Sequence, residues 1–217
     1  MSDRGEGLVL AALLAGLAGM VDAIGYLHLK HLFVSYMSGN STQLAVALGR
    51  GDFTEAAAIL RLVVLFVAGA AAGQIIADSS GRWHLTAVLA TVTVLLAIAA
   101  AAATRPEPMV LAMGALNASM HRAGNVGVSL TYVTGTLVKL GQGFGDFLAR
   151  RAQGWDWLVQ ASPWAGLMVG ATIGAVVHLR AGPAAAAWAP VVASGLFAAV
   201  SVAIPDPDRS STPPARP

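Results

Sequence analysis

The 217 residues are 56% hydrophobic and only 11% charged, with a mean hydropathy of +0.68. A soluble domain carries roughly a quarter charged residues because water-facing surface must be covered, so this composition describes an integral membrane protein in contact with a lipid bilayer. A net charge of +2, scattered along the chain, makes no nucleic-acid surface, and the absence of cysteine removes disulfides, thiolate nucleophiles and cysteine-held metals.

In chain order, the polar residues 1–7 are read as a disordered N-terminus. Leu8–Leu27 is an apolar run broken only by Asp22. Phe33–Gly49 opens on the uncharged polar stretch "FVSYMSGNST", and Ala56–Ala77 is broken only by Arg61 near its start. His84–Ala103 follows, with no charge over the 19 residues Leu85–Ala103. The second half offers Met109–Met120, Ser129–Phe147, Pro163–Leu179 and Ala184–Ile204. Its charge-free windows run 23 residues at Trp157–Leu179 and 25 at Ala181–Pro205. Each such window is long enough to cross a hydrocarbon core of about 30 Å. The Pro-rich tail 205–217 is read as disordered.

The chain repeats itself. Gly19-Met-Val-Asp22-Ala23 answers to Gly114-Ala-Leu-Asn117-Ala118, and Tyr36-Met-Ser38-Gly39 to Tyr132-Val-Thr134-Gly135. Gly49-Arg-Gly51-Asp52-Phe53 answers to Gly143-Phe-Gly145-Asp146-Phe147, and Gly69-x-x-x-Gly73 to Gly166-x-x-x-Gly170. The matches fall in one order, at offsets of 95, 96, 94 and 97 residues. They divide the chain into two four-element repeats, 8–104 and 105–204. The opening segment, which alone could pass for a cleaved signal peptide, then has an internal partner and is expected to be retained. The glycine pairs are read as helix-packing faces.

The expected fold is therefore an all-α polytopic membrane protein of six to eight spans. The second element of each repeat is discontinuous, a strand-like half followed by a half-helix. Eight crossings with parallel halves put eight Lys and Arg on the side of the termini against four, omitting Lys139. Six crossings with inverted halves put seven against five. The basic count thus favours eight crossings, and both schemes make the termini cytoplasmic. Gly39 and Gly135 are the expected helix breaks, with Ser38 and Thr134 as caps.

Duplicated halves with glycine-interrupted elements in equivalent positions point to secondary transporters, although such bundles also serve as scaffolds. Two half-helix starts facing one midplane site would offer backbone N–H groups to a small polar or anionic solute. The candidate binding residues are Tyr36, Ser38, Gly39, Asn40, Asn117, Tyr132, Thr134, Gly135 and Thr136. The hydroxyls of Ser35, Ser41, Thr42 and Thr131 lie beside them. Asp22, the acid deep in an apolar run, is the candidate proton-coupling group, with a structural role as its alternative. Its counterpart Asn117 cannot titrate. Lys139 is its candidate charge partner, or else extends to the interface, and Arg61 is expected to extend there too. His28, His31 and His121 lack a third ligand at helical spacing, so no metal is expected. No nucleophile–base order or phosphate loop supports an enzyme, and no cofactor is expected. A homo-oligomer is compatible with the sequence.

The blocks Val21-Asp22-Ala23, Tyr26-Leu27, Met37-Ser38-Gly39-Asn40 and Thr131–Leu137 resemble those of the YoaK-type family of bacterial membrane proteins, with Ser38 where Thr is usual. The resemblance runs from residue 8 to residue 204. It implies a small polytopic inner-membrane protein, commonly assigned six spans, and brings with it no substrate or activity.

Overall fold

A computed structural model describes residues 3–28, 32–102, 106–120, 133–151 and 156–203. All regular structure among them is helical: α1 (Asp3–His28), α2 (Met37–Gly49), α3 (Phe53–Ser79), α4 (His84–Ala102), α5 (Glu107–Met120), α6 (Val133–Leu148) and α7 (Ser162–Ala203). Short 3-10 turns at Gly81–Trp83 and Asp156–Ala161 lead into α4 and α7. The all-α expectation holds.

Local chemistry sets several boundaries. The Asp52 carboxylate accepts from the Glu55 backbone N–H at 2.9 Å and caps α3, an acid at the positive end of the helix dipole. Gly182, with φ 85°, interrupts α7, a backbone conformation that residues with a Cβ rarely adopt. Pro183 follows it at the start of a new helical turn, where its missing N–H costs nothing. At about 1.5 Å per residue, an unbroken α7 of 42 residues would be twice the hydrocarbon thickness. Its two limbs, 162–181 and 183–203, are each long enough to cross. Residues 7–28, 53–79 and 81–102 also form helices long and apolar enough to do so. As helices, α2 and α6 reach only about 20–24 Å; α5 reaches about 21 Å and packs along α3, one of the helices long enough to cross.

Glycine contacts set the helix pairs. A Cβ on Gly166 or Gly170 of α7 would fall on the carbonyl oxygens of Ala12 or Gly16 of α1, and one on Gly174 would meet Met20 O at 2.7 Å. Each step of four on one helix matches a step of four in the same direction on the other, so α1 and the first limb of α7 are parallel. The same arithmetic joins α3 to α5. A Cβ on Gly69 would meet the Leu111 carbonyl, and one on Gly73 would meet Ala115 at 2.6 Å. These helices are in backbone contact, the geometry that small residues permit in membranes.

Helix α4 and the second limb of α7 are instead joined by hydroxyls. Thr93 donates to Ser194 at 3.1 Å, and the Thr86 and Ser201 hydroxyls meet at 2.9 Å. One helix ascends in number as the other descends, so this pair is antiparallel. Buried residues of α1, α4 and α5, among them Leu14, Val21, Val88, Leu96, Met113 and Leu116, form one core. Both Leu167 of the first limb and Phe197 of the second pack on it. Thirty residues of straight helix would set those two about 45 Å apart, so the chain turns back at Gly182. A satellite cluster of Ala47, Ala56 and Ile59 seats α2 on α3.

The helix starts correct the sequence reading. Helix α2 begins at Met37 and α6 at Val133, ahead of both Gly39 and Gly135, so neither glycine is a break and neither Ser38 nor Thr134 occupies the cap position. Residues 32–36 are irregular rather than strand-like. Arg61 pairs with Glu107 of α5 at 3.1 Å instead of only reaching for the interface. Its side chain is 60% exposed, so in water the pair contributes at most about 1 kcal/mol.

Candidate functional site

The most developed polar constellation ties α1 to the start of α2. Asp22 stands six residues, about 9 Å, before the end of α1. Its Oδ1 accepts the backbone N–H groups of Val34 and Ser35, both at 2.7 Å, and its Oδ2 accepts the Ser35 hydroxyl at 2.5 Å. An ionised carboxylate is acceptor-only and binds charge-assisted donors about twice as strongly as a neutral group does. Asp22 therefore serves the two amides that open the segment before α2. No ion pair joins it to Lys or Arg among the described residues.

Asn40 completes the fixation from the other side. Its Oδ1 accepts the Phe33 N–H at 3.0 Å and its Nδ2 donates to the Phe33 carbonyl at 2.7 Å, the pairing a neighbouring strand would otherwise supply. Asn40, Ser35 and Val34 are all buried. The ring of Phe33 packs tilted on Tyr26 at 5.1 Å and edge-on to Tyr36 at 5.2 Å. A Cβ on Gly39 would press on the Tyr36 ring at 2.6 Å. Gly39 thus makes room for an aromatic ring inside a continuous helix.

The remaining hydroxyls of the stretch are spent locally. Ser41 donates to the Met37 carbonyl at 2.8 Å and Thr42 to that of Ser38 at 3.1 Å. Ser38 and Tyr36 are exposed. In the second half, Asn117 donates to the Met113 carbonyl at 2.9 Å and Thr136 to that of Val133 at 2.7 Å. Gly135 and Thr136 are buried, while Thr134 and Lys139 are exposed. Thr131 and Tyr132, with His31 and His121, lie outside the described residues. Helix α2 rests on α3, and α6 rests on Asp156–Ala161 and α7, so neither motif helix is built into the other's principal interface. No group of three metal-ligating side chains occurs among the described residues.

Sequence reasoning singled out Asp22 and Asn40 but missed that they act together, from opposite sides, on Phe33–Ser35. The spacing carries no periodic signal for it, because one partner lies across a helix end and the other seven residues on.

The fold and these residues define a polytopic α-helical membrane protein. The family "Protein of unknown function (DUF1275)" matches residues 10–200, and the chain belongs to it. It is 41% identical over 203 residues to UPF0700 transmembrane protein RA0705 of Rhizobium meliloti (strain 1021), covering 92% of this chain and 88% of that one. It is 30% identical over 144 residues to UPF0700 transmembrane protein YoaK of Bacillus subtilis (strain 168), covering 60% and 64%. The YoaK-type resemblance read in the sequence is thereby borne out. No solved structure matches the chain.

Proposed function

We propose that the chain is a six-span transporter of a small polar or anionic solute in the bacterial inner membrane, built from two inverted halves and proton-coupled through Asp22. The observation that carries the topology is the antiparallel crossing of α4 and the second limb of α7 at Thr93 and Ser194. Eight alternating crossings would run these two helices in the same direction. Six crossings, with 33–49 and the equivalent part of the second half entering and leaving on one face, run them in opposite directions. The parallel pairs α1/α7 and α3/α5 fit that scheme equally well.

The duplication draws support from the same contacts. A shift of 95 residues carries Gly16, Gly19 and Met20 onto Leu111, Gly114 and Ala115. A shift of 101 carries Phe66, Gly69 and Gly73 onto Leu167, Gly170 and Gly174. Under these shifts the contacts Gly19–Leu167, Gly170–Gly16 and Gly174–Met20 become Gly114–Phe66, Gly69–Leu111 and Gly73–Ala115, all of which are made. The glycine pair of α3 then corresponds to Gly170 and Gly174, one turn beyond the pairing read from sequence. The shift of 101 also superposes Gly81 and Gly182, two of the three described glycines with positive φ, and carries Thr93 onto Ser194, the residue it bonds.

Inverted repeats whose halves can exchange conformations are the architecture of alternating access. With both termini on the more basic face, seven Lys and Arg against five, the termini are cytoplasmic and Asp22 lies toward the opposite face. A second reading, a membrane scaffold or partner subunit, is favoured by the exposure of Ser38 and Thr134 and by the separate seats of α2 and α6.

The test is electrogenic or fluorescent uptake by proteoliposomes across a panel of small carboxylates, phosphate, amino acids and sugars, with and without a pH gradient. Gradient-stimulated uptake of one class supports transport. Indifference to the whole panel, with intact folded protein in the vesicles, supports the scaffold.

A further inference from the structure

We propose that the Asp22–Ser35 contact is a proton-released latch on the segment 32–36, on the face of the protein away from the termini. The inference rests on the inverted-repeat reading above and deepens it by assigning the proton a place and a mechanical effect.

The geometry is that of a strap held by two side chains, Asn40 at Phe33 and Asp22 at Val34 and Ser35, of which only Asp22 can change its charge. Val34 and Ser35 are buried, and Asp22 takes both their amides together with the Ser35 hydroxyl. Protonation turns one carboxylate oxygen from acceptor to donor. The Ser35 hydroxyl, which donates now, can rotate to accept that proton, so the neutral state is compatible with the same fold. What is lost is the charge assistance on these bonds, roughly half their strength. The bond count survives while the hold of Asp22 slackens, and residues 34–36 can lift, with Phe33 still tied to Asn40, without leaving a bare charge behind.

The surroundings leave the switch to Asp22. Tyr26 and His28 share its helix, Tyr36 lies on the strap, and His178 and Arg180 lie near the end of the first limb of α7, which runs parallel to α1. On α5, Glu107 is engaged by Arg61. The described donors to the Asp22 carboxylate all come from the strap: the amides of Val34 and Ser35, the Ser35 hydroxyl and the backbone of Tyr36. In the other half the equivalent position is Asn117, an amide that holds no exchangeable charge. The segment before α2 is therefore released by protons through Asp22, a group whose counterpart in the other half, Asn117, does not titrate.

The experiment uses the cysteine-free chain in proteoliposomes and needs no solute, so its outcome is independent of whether transport is found. Val34→Cys places a thiol under the strap, and Ser41→Cys on exposed α2 corrects for the reagent's own pH dependence. A charged, impermeant methanethiosulfonate reagent is added on the face away from the termini. The latch predicts that the Val34→Cys rate, relative to Ser41→Cys, rises about tenfold between pH 8 and pH 5, as charge-assisted bonds become neutral ones. In the Asp22→Asn background the relative rate should be the same at both pH values and no lower than the Asp22 chain at pH 5. If Asp22→Asn does not fold, Ser35→Ala decides, and it should label faster than its parent at pH 8. A flat ratio in the Asp22 chain, a pH response that survives Asp22→Asn, or an unchanged Ser35→Ala rate at pH 8 would overturn the latch.

Discussion

Thr93 donates a hydrogen bond of 3.1 Å to Ser194 where α4 crosses the second limb of α7, while Thr86 and Ser201 meet two turns away at 2.9 Å. Ser194 and Ser201 are buried. In lipid, where no water competes, interhelical hydroxyl bonds still contribute only about 0.6 kcal/mol each on average. Thr93→Val and Ser194→Ala should each lower stability by about that amount in detergent. The double variant should cost about as much as either single one, because both remove the same bond. Additive losses in a double-mutant cycle would mean that the bonds within each helix, Thr93 to the Leu89 carbonyl at 2.8 Å and Ser194 to the Val191 carbonyl at 3.1 Å, outweigh the one between them.

The glycine contacts predict a sharp division among alanine substitutions. Gly170→Ala and Gly69→Ala push a methyl into the carbonyls of Gly16 and Leu111 and should each destabilise by about 1–3 kcal/mol, since neither backbone can move without parting its helix pair. Gly141→Ala and Gly145→Ala on α6 meet nothing within 4 Å and should be neutral or mildly stabilising through helix propensity. Thermal melts followed by size-exclusion chromatography would separate the two groups. Equal behaviour of all four would contradict the packing.

Asn40→Ala strands both the N–H and the carbonyl of Phe33 and should cost about 1–3 kcal/mol. Asn40→Asp keeps an acceptor for the N–H but places a second acceptor against the Phe33 carbonyl, so it should be no better than alanine at neutral pH. Proteolysis within residues 32–36 should rise in both variants while the rest of the chain stays resistant. Unchanged protease resistance would show that the segment is held by Asp22 alone.

Much of the fold was legible because its signals are extensive. Long charge-free windows gave the membrane class and the apolar helices, and the recurrence of glycine, Tyr-x-Ser/Thr-Gly and Asp/Asn is the basis on which two halves are proposed. The relative direction of α4 and the second limb of α7 was not legible, because it depends on which hydroxyls meet. The helix starts were misplaced for a local reason. Glycine and serine at 38–39 look like a break and a cap, but the amides before α2 are served by Asp22 from another helix, so the helix can begin earlier. That remote acceptor leaves no periodic trace in the sequence.

The six-span reading is tested most directly by the sidedness of two exposed arginines, Arg50 after α2 and Arg150 after α6. Single cysteines at these positions, in a chain that has none of its own, can be labelled with an impermeant maleimide in right-side-out and inverted vesicles. The inverted halves predict that Arg50→Cys reacts only from the face away from the termini and Arg150→Cys only from the face that carries them. Reaction of both from the same face would contradict the inverted topology and restore eight crossings.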